Sequence, residues 1–197
     1  MQQYNTQPMF NGPVIGYTVR QGETSRISPS MQKVINDLIQ VDLNSAYLYI
    51  SMSNYLNRNG FSGFGSFLRA QYTEELKHAD TLINYLSRRG GVVEIKQIPA
   101  QPVNFGSLLD TFQALLEHEQ LVTKTYTQAL NIAIRENDIQ SQSVIRTAID
   151  EQVDEEAVPA EIIDKIKMTG GNSAALLMLD QQYGQMAAQP AAPGQGG

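Results

Sequence analysis

Glu75 and His78 stand three residues apart inside the run Tyr72-Thr-Glu-Glu-Leu-Lys-His-Ala-Asp-Thr-Leu82. If that run is helical, the spacing puts a carboxylate and an imidazole on one face, a turn apart. Alone, the pair is most simply an ordinary polar patch. Aimed into a core, it must be hydrogen-bonded or bound to a cation, because an unpaired buried charge is very costly. The choice depends on whether other elements send polar groups to the same place.

Those elements are legible as seams advancing by steps of four and three residues, the helical period. Ser28 or Ser30 can cap a first helix with the seam Met31, Ile35, Leu38, Asp42, Ser45, Tyr49, Met52 and Leu56, closed by Asn59-Gly60. A second, after Phe61-Ser62, carries Phe64, Leu68, Gln71, Glu75, His78, Leu82, Tyr85 and Arg89 and stops at Gly90-Gly91. Ser107 caps a third with Leu108, Phe112, Leu115, Glu119, Val122, Tyr126, Ala129 and Ala133. After the turn Glu136-Asn-Asp138 a fourth carries Ile145, Ala148, Gln152, Glu155, Pro159, Ile162 and Ile166, with Gln152 and Glu155 repeating the three-residue spacing. Helices of about 27 residues, about 40 Å long, suit an all-α four-helix bundle.

Residues 91 to 106 hold Pro99, Pro102 and Gly106 and a β-like piece, Val92-Val-Glu-Ile95. So long a connection lets the chain cross from one end of the bundle to the other. After Gly170-Gly171, Ser173 can cap a short fifth helix from Ala175 to Tyr183, too short to stand without packing on something. The organisation is therefore an extended arm over residues 1–28, a bundle domain over 29–185 and a low-complexity Pro/Gly tail over 186–197. Leu43, Tyr47 and Ile50 lie off the first seam, which predicts a second buried face and a subunit interface.

With 20 acidic against 14 basic residues and a net charge of -6, cations are favoured guests and a nucleic-acid backbone is not. There is no cysteine, so a disulfide, thiolate nucleophile, zinc ribbon or iron–sulfur cluster is excluded, and any metal must use oxygen and nitrogen ligands. The first residues, Met1-Gln-Gln-Tyr-Asn-Thr-Gln, lack the basic and apolar regions of a secretory signal. No run approaches the roughly 20 apolar residues of a membrane span. The chain reads as a cytoplasmic protein without a membrane or nucleic-acid partner.

Each seam is interrupted near its middle, by Asp42, by Glu75 and His78, by Glu119, and by Gln152 and Glu155. Brought to one depth, four carboxylates repel one another and raise one another's pKa values unless cations neutralise them. Two divalent ions sharing Glu75 resolve this, and carboxylates with one imidazole suit iron or manganese. Taken singly, Tyr49 is a core tyrosine, His118 a surface residue, and Glu74, Glu151 and Asp154 a solvated acidic face.

Together, Glu74-Glu-Leu-Lys-His-Ala-Asp80, Glu119-Gln-Leu121 and Glu151-Gln-Val-Asp-Glu155 resemble the prokaryotic-type non-haem ferritins of the ferritin-like di-iron carboxylate superfamily, over roughly residues 31 to 185. The resemblance implies a ferritin-like four-helix bundle with a long crossover and a short fifth helix, assembled as a hollow homo-oligomer of 24 subunits. It implies ferroxidase activity, in which Fe(II) is oxidised by O2 or H2O2 and stored as a ferric oxyhydroxide mineral. It assigns Asp42, Glu75 and His78 to a first iron and Glu75, Glu119, Gln152 and Glu155 to a second, with Glu75 as the bridge. Glu74, Glu151 and Asp154 fall where a third, weaker iron site lies, and Tyr49 matches a tyrosine that takes part in electron or radical transfer. The fifth helix would line a fourfold channel and place the tail in the cavity.

Three features depart from that pattern. Asp42 stands where Glu is usual, so its carboxylate reaches one methylene less far. Pro159 removes the helical hydrogen bond to the Glu155 carbonyl and is expected to kink the fourth helix beside the centre. The arm is longer than the family requires, and reads as disordered, or else as a segment that docks on the outer surface or recruits a partner. Haem is not expected, since Leu76 takes the place of a haem-ligating methionine and Gln152 with Glu155 replaces a second Glu-x-x-His. The alternatives are a di-iron oxidoreductase that forms no cage, or a structural or shell-associated bundle with a metal site.

Overall fold

In the computed structural model, residues 25–188 are described, and they form five helices. These are α1 (Pro29–Arg58), α2 (Ser62–Arg88), α3 (Leu108–Arg135), α4 (Ile139–Met168) and α5 (Ser173–Ala188). The arm up to residue 24 and the tail from residue 189 lie outside the described residues. No described helix is long and apolar enough to cross a membrane.

Local chemistry sets the helix ends. The Ser28 hydroxyl accepts from the Met31 N–H at 3.0 Å, so Ser28 and not Ser30 caps α1. Gly60, at φ 86°, takes the left-handed conformation that lets the chain reverse into α2. Ser107 and Asp110 form a capping box at α3, and Asp138 caps α4 through the Ser141 N–H at 3.1 Å. At α5 the cap is Asn172, which accepts from the Ala175 N–H at 3.1 Å, rather than Ser173.

The N-terminus of α2 has no side-chain cap of its own. The buried Asp180 of α5 supplies one, accepting from the N–H groups of Gly63 at 3.0 Å and Phe64 at 2.9 Å. A Cβ at residue 63 would stand 1.7 Å from the Asp180 carbonyl oxygen, so only glycine admits this approach. That is how the short fifth helix finds its packing partner. It also runs on to Ala188, past the expected boundary at 185.

Helices α1 and α2 form one antiparallel pair and α3 and α4 the other. The 89–107 connection returns along the outside of α1, held at successive levels. The Val92 N–H donates to Gln32 at 2.9 Å, the Glu94 N–H to Asn36 at 2.8 Å, Lys96 pairs with Asp37 at 2.9 Å, and Arg58 donates to the Val103 carbonyl at 3.0 Å. The β-like Val92-Val-Glu-Ile95 is therefore not a strand: its backbone is satisfied by α1 side chains, and no strand occurs among the described residues. The result is the expected all-α bundle with a long crossover and a short fifth helix.

The apolar core falls into two clusters. One gathers Met31, Ile35, Leu38, Leu82, Leu86, Ala129 and Ile145 near the α3–α4 turn, and the other gathers Met52, Leu56, Phe64, Leu68, Phe112, Ile162 and Tyr183 at the α5 end. Between them, Asp42, Ser45, Glu75, Glu119 and Gln152 are buried as a polar layer. All eight seam residues of α1 and all eight of α3 are buried. On α2, Ala79 and Leu86 take core places while His78 and Tyr85 move to the edge. α4 continues unbroken through the buried Pro159.

Candidate metal centre

The polar layer is where the sequence-derived residues meet. Asp42 of α1 is 1% exposed, Glu75 of α2 3%, Glu119 of α3 1% and Gln152 of α4 5%. Glu155 is half-buried beside them. Such a layer is tolerable only if each acid is neutral, hydrogen-bonded or paired with a cation.

Most of these acids have donors. The Tyr126 hydroxyl donates to Asp42 at 2.7 and 2.8 Å, one distance for each carboxylate oxygen. Glu119 accepts from the Tyr49 hydroxyl and, at 3.2 Å, from the Gln152 amide. Glu155 accepts from Gln71 at 2.7 Å. Glu75 is different: the donors nearby serve the other acids, and after its own burial the influences on it are the charges of Asp42, Glu119, Glu155 and Glu74.

The electrostatics follow. Burial, opposed by the Tyr126 hydrogen bond and reinforced by Glu119, pushes Asp42 up to about 8. Burial and then the charges of Glu119, Glu74, Glu151 and Asp154 push Glu155 up to about 8. Burial and the surrounding acids carry Glu75 well above the carboxylate range. Burial also raises Glu119, although its bonds from Tyr49 and Gln152 pull the other way. The layer therefore holds protons at neutral pH that a cation would displace.

Among the described residues, no three of the His, Asp or Glu side chains form a ready-made cage for an ion as they stand. The hydrogen bonds give the physical reason, since Asp42, Glu119 and Glu155 are each turned toward a tyrosine, an amide or both. His78 lies at the edge, its Nε2 3.6 Å from Glu151, and both border a cavity of about 260 Å³ that Tyr126 also lines. Glu74 and Asp154 border a second cavity, of about 180 Å³, with Glu119, Glu155 and Pro159. Of the three exposed acids, Glu74 and Asp154 thus share one opening with Glu155, while Glu151 faces the other with His78.

Tyr49 is fully buried against Glu119. His118, expected on the surface, is half-buried. Its Nε2 lies 2.8 Å from the Ser45 hydroxyl, its ring meets Tyr49 edge-on at 5.6 Å, and burial lowers its pKa. Tyr126 and Gln71 are the partners that the seams contained without revealing. Tyr126 is buried and Gln71 half-buried on their seams, but nothing in a single helix shows which acid on another helix a hydroxyl or amide will meet.

A four-helix bundle whose core is divided at mid-height by acids from all four helices defines a class, the ferritin-like carboxylate bundles. The family described as ferritin-like domain matches residues 32–169, and the chain belongs to the ferritin family. It is 38% identical over 159 residues to a bacterial non-heme ferritin of Bacteroides fragilis (strain 638R), covering 81% of this chain and 99% of the relative. To a bacterial non-heme ferritin of Campylobacter jejuni it is 35% identical over 155 residues, covering 79% and 93%. A closed form of the Archaeoglobus fulgidus ferritin, engineered by site-directed mutagenesis, superposes with a TM-score of 0.80 at 34% identity, covering 83% of this chain and 98% of that one. An open-pore ferritin of the same organism gives 0.80 at 33% identity, covering 85% and 100%.

Proposed function

We propose that this protein stores iron and oxidises Fe(II) at a di-iron centre in the polar layer, as a homo-oligomeric cage of 24 subunits in the cytoplasm. The observation that carries this reading is Glu75, buried among three other acids that have donors and with its own pKa raised by burial and by their charges, in a chain of the ferritin family. A carboxylate so placed is neutral or shared between cations. Asp42, Glu75 and His78 take one Fe(II), and Glu75, Glu119, Gln152 and Glu155 take the other, with protons leaving as the metals enter. Two Fe(II) then give one electron each to O2, which leaves with two protons as H2O2; H2O2 taking the same two electrons and two protons leaves as two waters. The ferric product passes to the mineral.

Tyr49 passes an electron to the centre, a role supported by its hydrogen bond to Glu119. The outer, weaker iron site is formed by Glu74 and Asp154, which share one opening, and Glu151, exposed at the other opening, joins them when its side chain swings toward that site. The half-buried Leu43 and Ile50 and the exposed Tyr47 form the face of α1 that a neighbouring subunit covers. No residue here is assigned to haem. The direct test is to add Fe(II) in air to the purified chain: a ferric absorbance rising much faster than in buffer is expected, and a rise equal to that of buffer contradicts the reading.

A further inference from the structure

We propose that Tyr126 is a positioning residue of the first iron site: its hydroxyl sits between the two oxygens of Asp42, so that this carboxylate meets a divalent cation through one oxygen instead of chelating it through both. The inference rests on the metal-centre reading above. Asp42 is 1% exposed and Tyr126 3%, so bulk water does not compete for their contact. The hydroxyl lies 2.7 Å from Oδ1 and 2.8 Å from Oδ2. Nearly equal distances place it in front of the carboxylate on its midline, which is the seat of a chelated cation.

A carboxylate offers about four lone-pair directions, two that converge in front of it and two that diverge. A hydroxyl shared by both oxygens takes the converging pair. A cation is left with a diverging lone pair, and hence with one oxygen. His78, the imidazole of the same site, is near Tyr126, since both line the 260 Å³ cavity. Asp42 also has only one methylene between carboxylate and backbone. Its direction is therefore set by α1 and by this donor, whereas a longer side chain could swing around the obstacle.

The full-length native protein and Tyr126→Phe, which keeps the ring, are titrated with Co(II) under nitrogen by calorimetry and visible absorption, and the native chain is crystallised with Zn(II). The native chain is expected to hold Zn(II) through one Asp42 oxygen with the Tyr126 hydroxyl still bonded to the carboxylate. Tyr126→Phe is expected to bind Co(II) at the first site about tenfold more tightly, the scale of one hydrogen bond. Its visible absorption should weaken as chelation adds a ligand, a change that loss of packing alone would not produce. Chelation by both Asp42 oxygens in the native crystal, or unchanged or weaker Co(II) binding by a folded Tyr126→Phe, overturns the proposal. If that variant does not fold, the native Zn(II) structure decides alone. Absence of Co(II) binding to the native chain overturns the metal-centre reading and this inference with it, whereas two bound ions with chelation overturns only this one.

Discussion

On the proposed reading Glu75 would couple both irons, and its removal should differ in kind from that of its neighbours. Glu75→Ala deletes a ligand of two sites, so initial Fe(II) oxidation in air is expected to fall on the order of 100-fold, since outer partners alone are worth 10–100-fold in metal sites. Asp42→Ala touches one site, and a loss of about tenfold is expected. Equal, small losses in the two variants would count against a shared bridge. The raised pKa values add a pH test. Asp42 and Glu155, each near 8, are protonated at pH 7 without metal, so cation binding releases protons and tightens as pH rises toward 8. The sign for stability is opposite: the folded pKa values lie above the unfolded ones, so the contribution is full below about pH 4 and is lost as pH rises through about 8. Calorimetry of Zn(II) binding in buffers of different ionisation enthalpy reports the proton release directly, and none at pH 7 would contradict the raised values. Of the centre, the acids were legible because each interrupts an apolar seam in phase. The hydrogen bonds of Tyr126 and Gln71 and the partial burial of His118 were not, because they depend on which helix lies opposite.

At the scale of elements, the polar layer is held by four helices whose ends are fixed separately. α1 and α3 were legible residue by residue because their buried faces are narrow and regular. On α2 the buried stripe runs through Glu75, Ala79, Leu82 and Leu86, so His78 and Tyr85 fall at its edge. The tie between Asp180 and the start of α2 spans more than a hundred positions of sequence and leaves no local signature. It does make a prediction. Asp180→Ala removes the acceptor for two helix-terminal N–H groups, and a loss of about 1 to 2 kcal/mol is expected from a cap of this kind. Amide exchange should accelerate at Gly63, Phe64 and along α5 while the α3–α4 turn is unchanged. Unaltered exchange in α5 would mean that its apolar contacts with α2, chiefly Tyr183 stacked on Phe64 at 5.2 Å, hold it unaided.

At the scale of the molecule, one chain leaves Tyr47 48% exposed and Leu43 and Ile50 half-buried on the outer side of α1. A charge introduced there, as in Tyr47→Lys, should shift the native mass from a large assembly toward one or two chains without altering helix content, because an interface disfavours an unpaired charge at its core. An unchanged mass would place the interface elsewhere. Storage is the most demanding claim, since it needs the centre, the assembly and an enclosed volume together. The most direct measurement is the iron retained per chain by the assembled native protein after repeated additions of Fe(II) in air, followed by gel filtration and metal analysis. A cage that mineralises iron keeps far more than the two ions its centre can bind, co-eluting with the assembly. Retention of two or fewer per chain would contradict storage and leave only a metal-binding bundle.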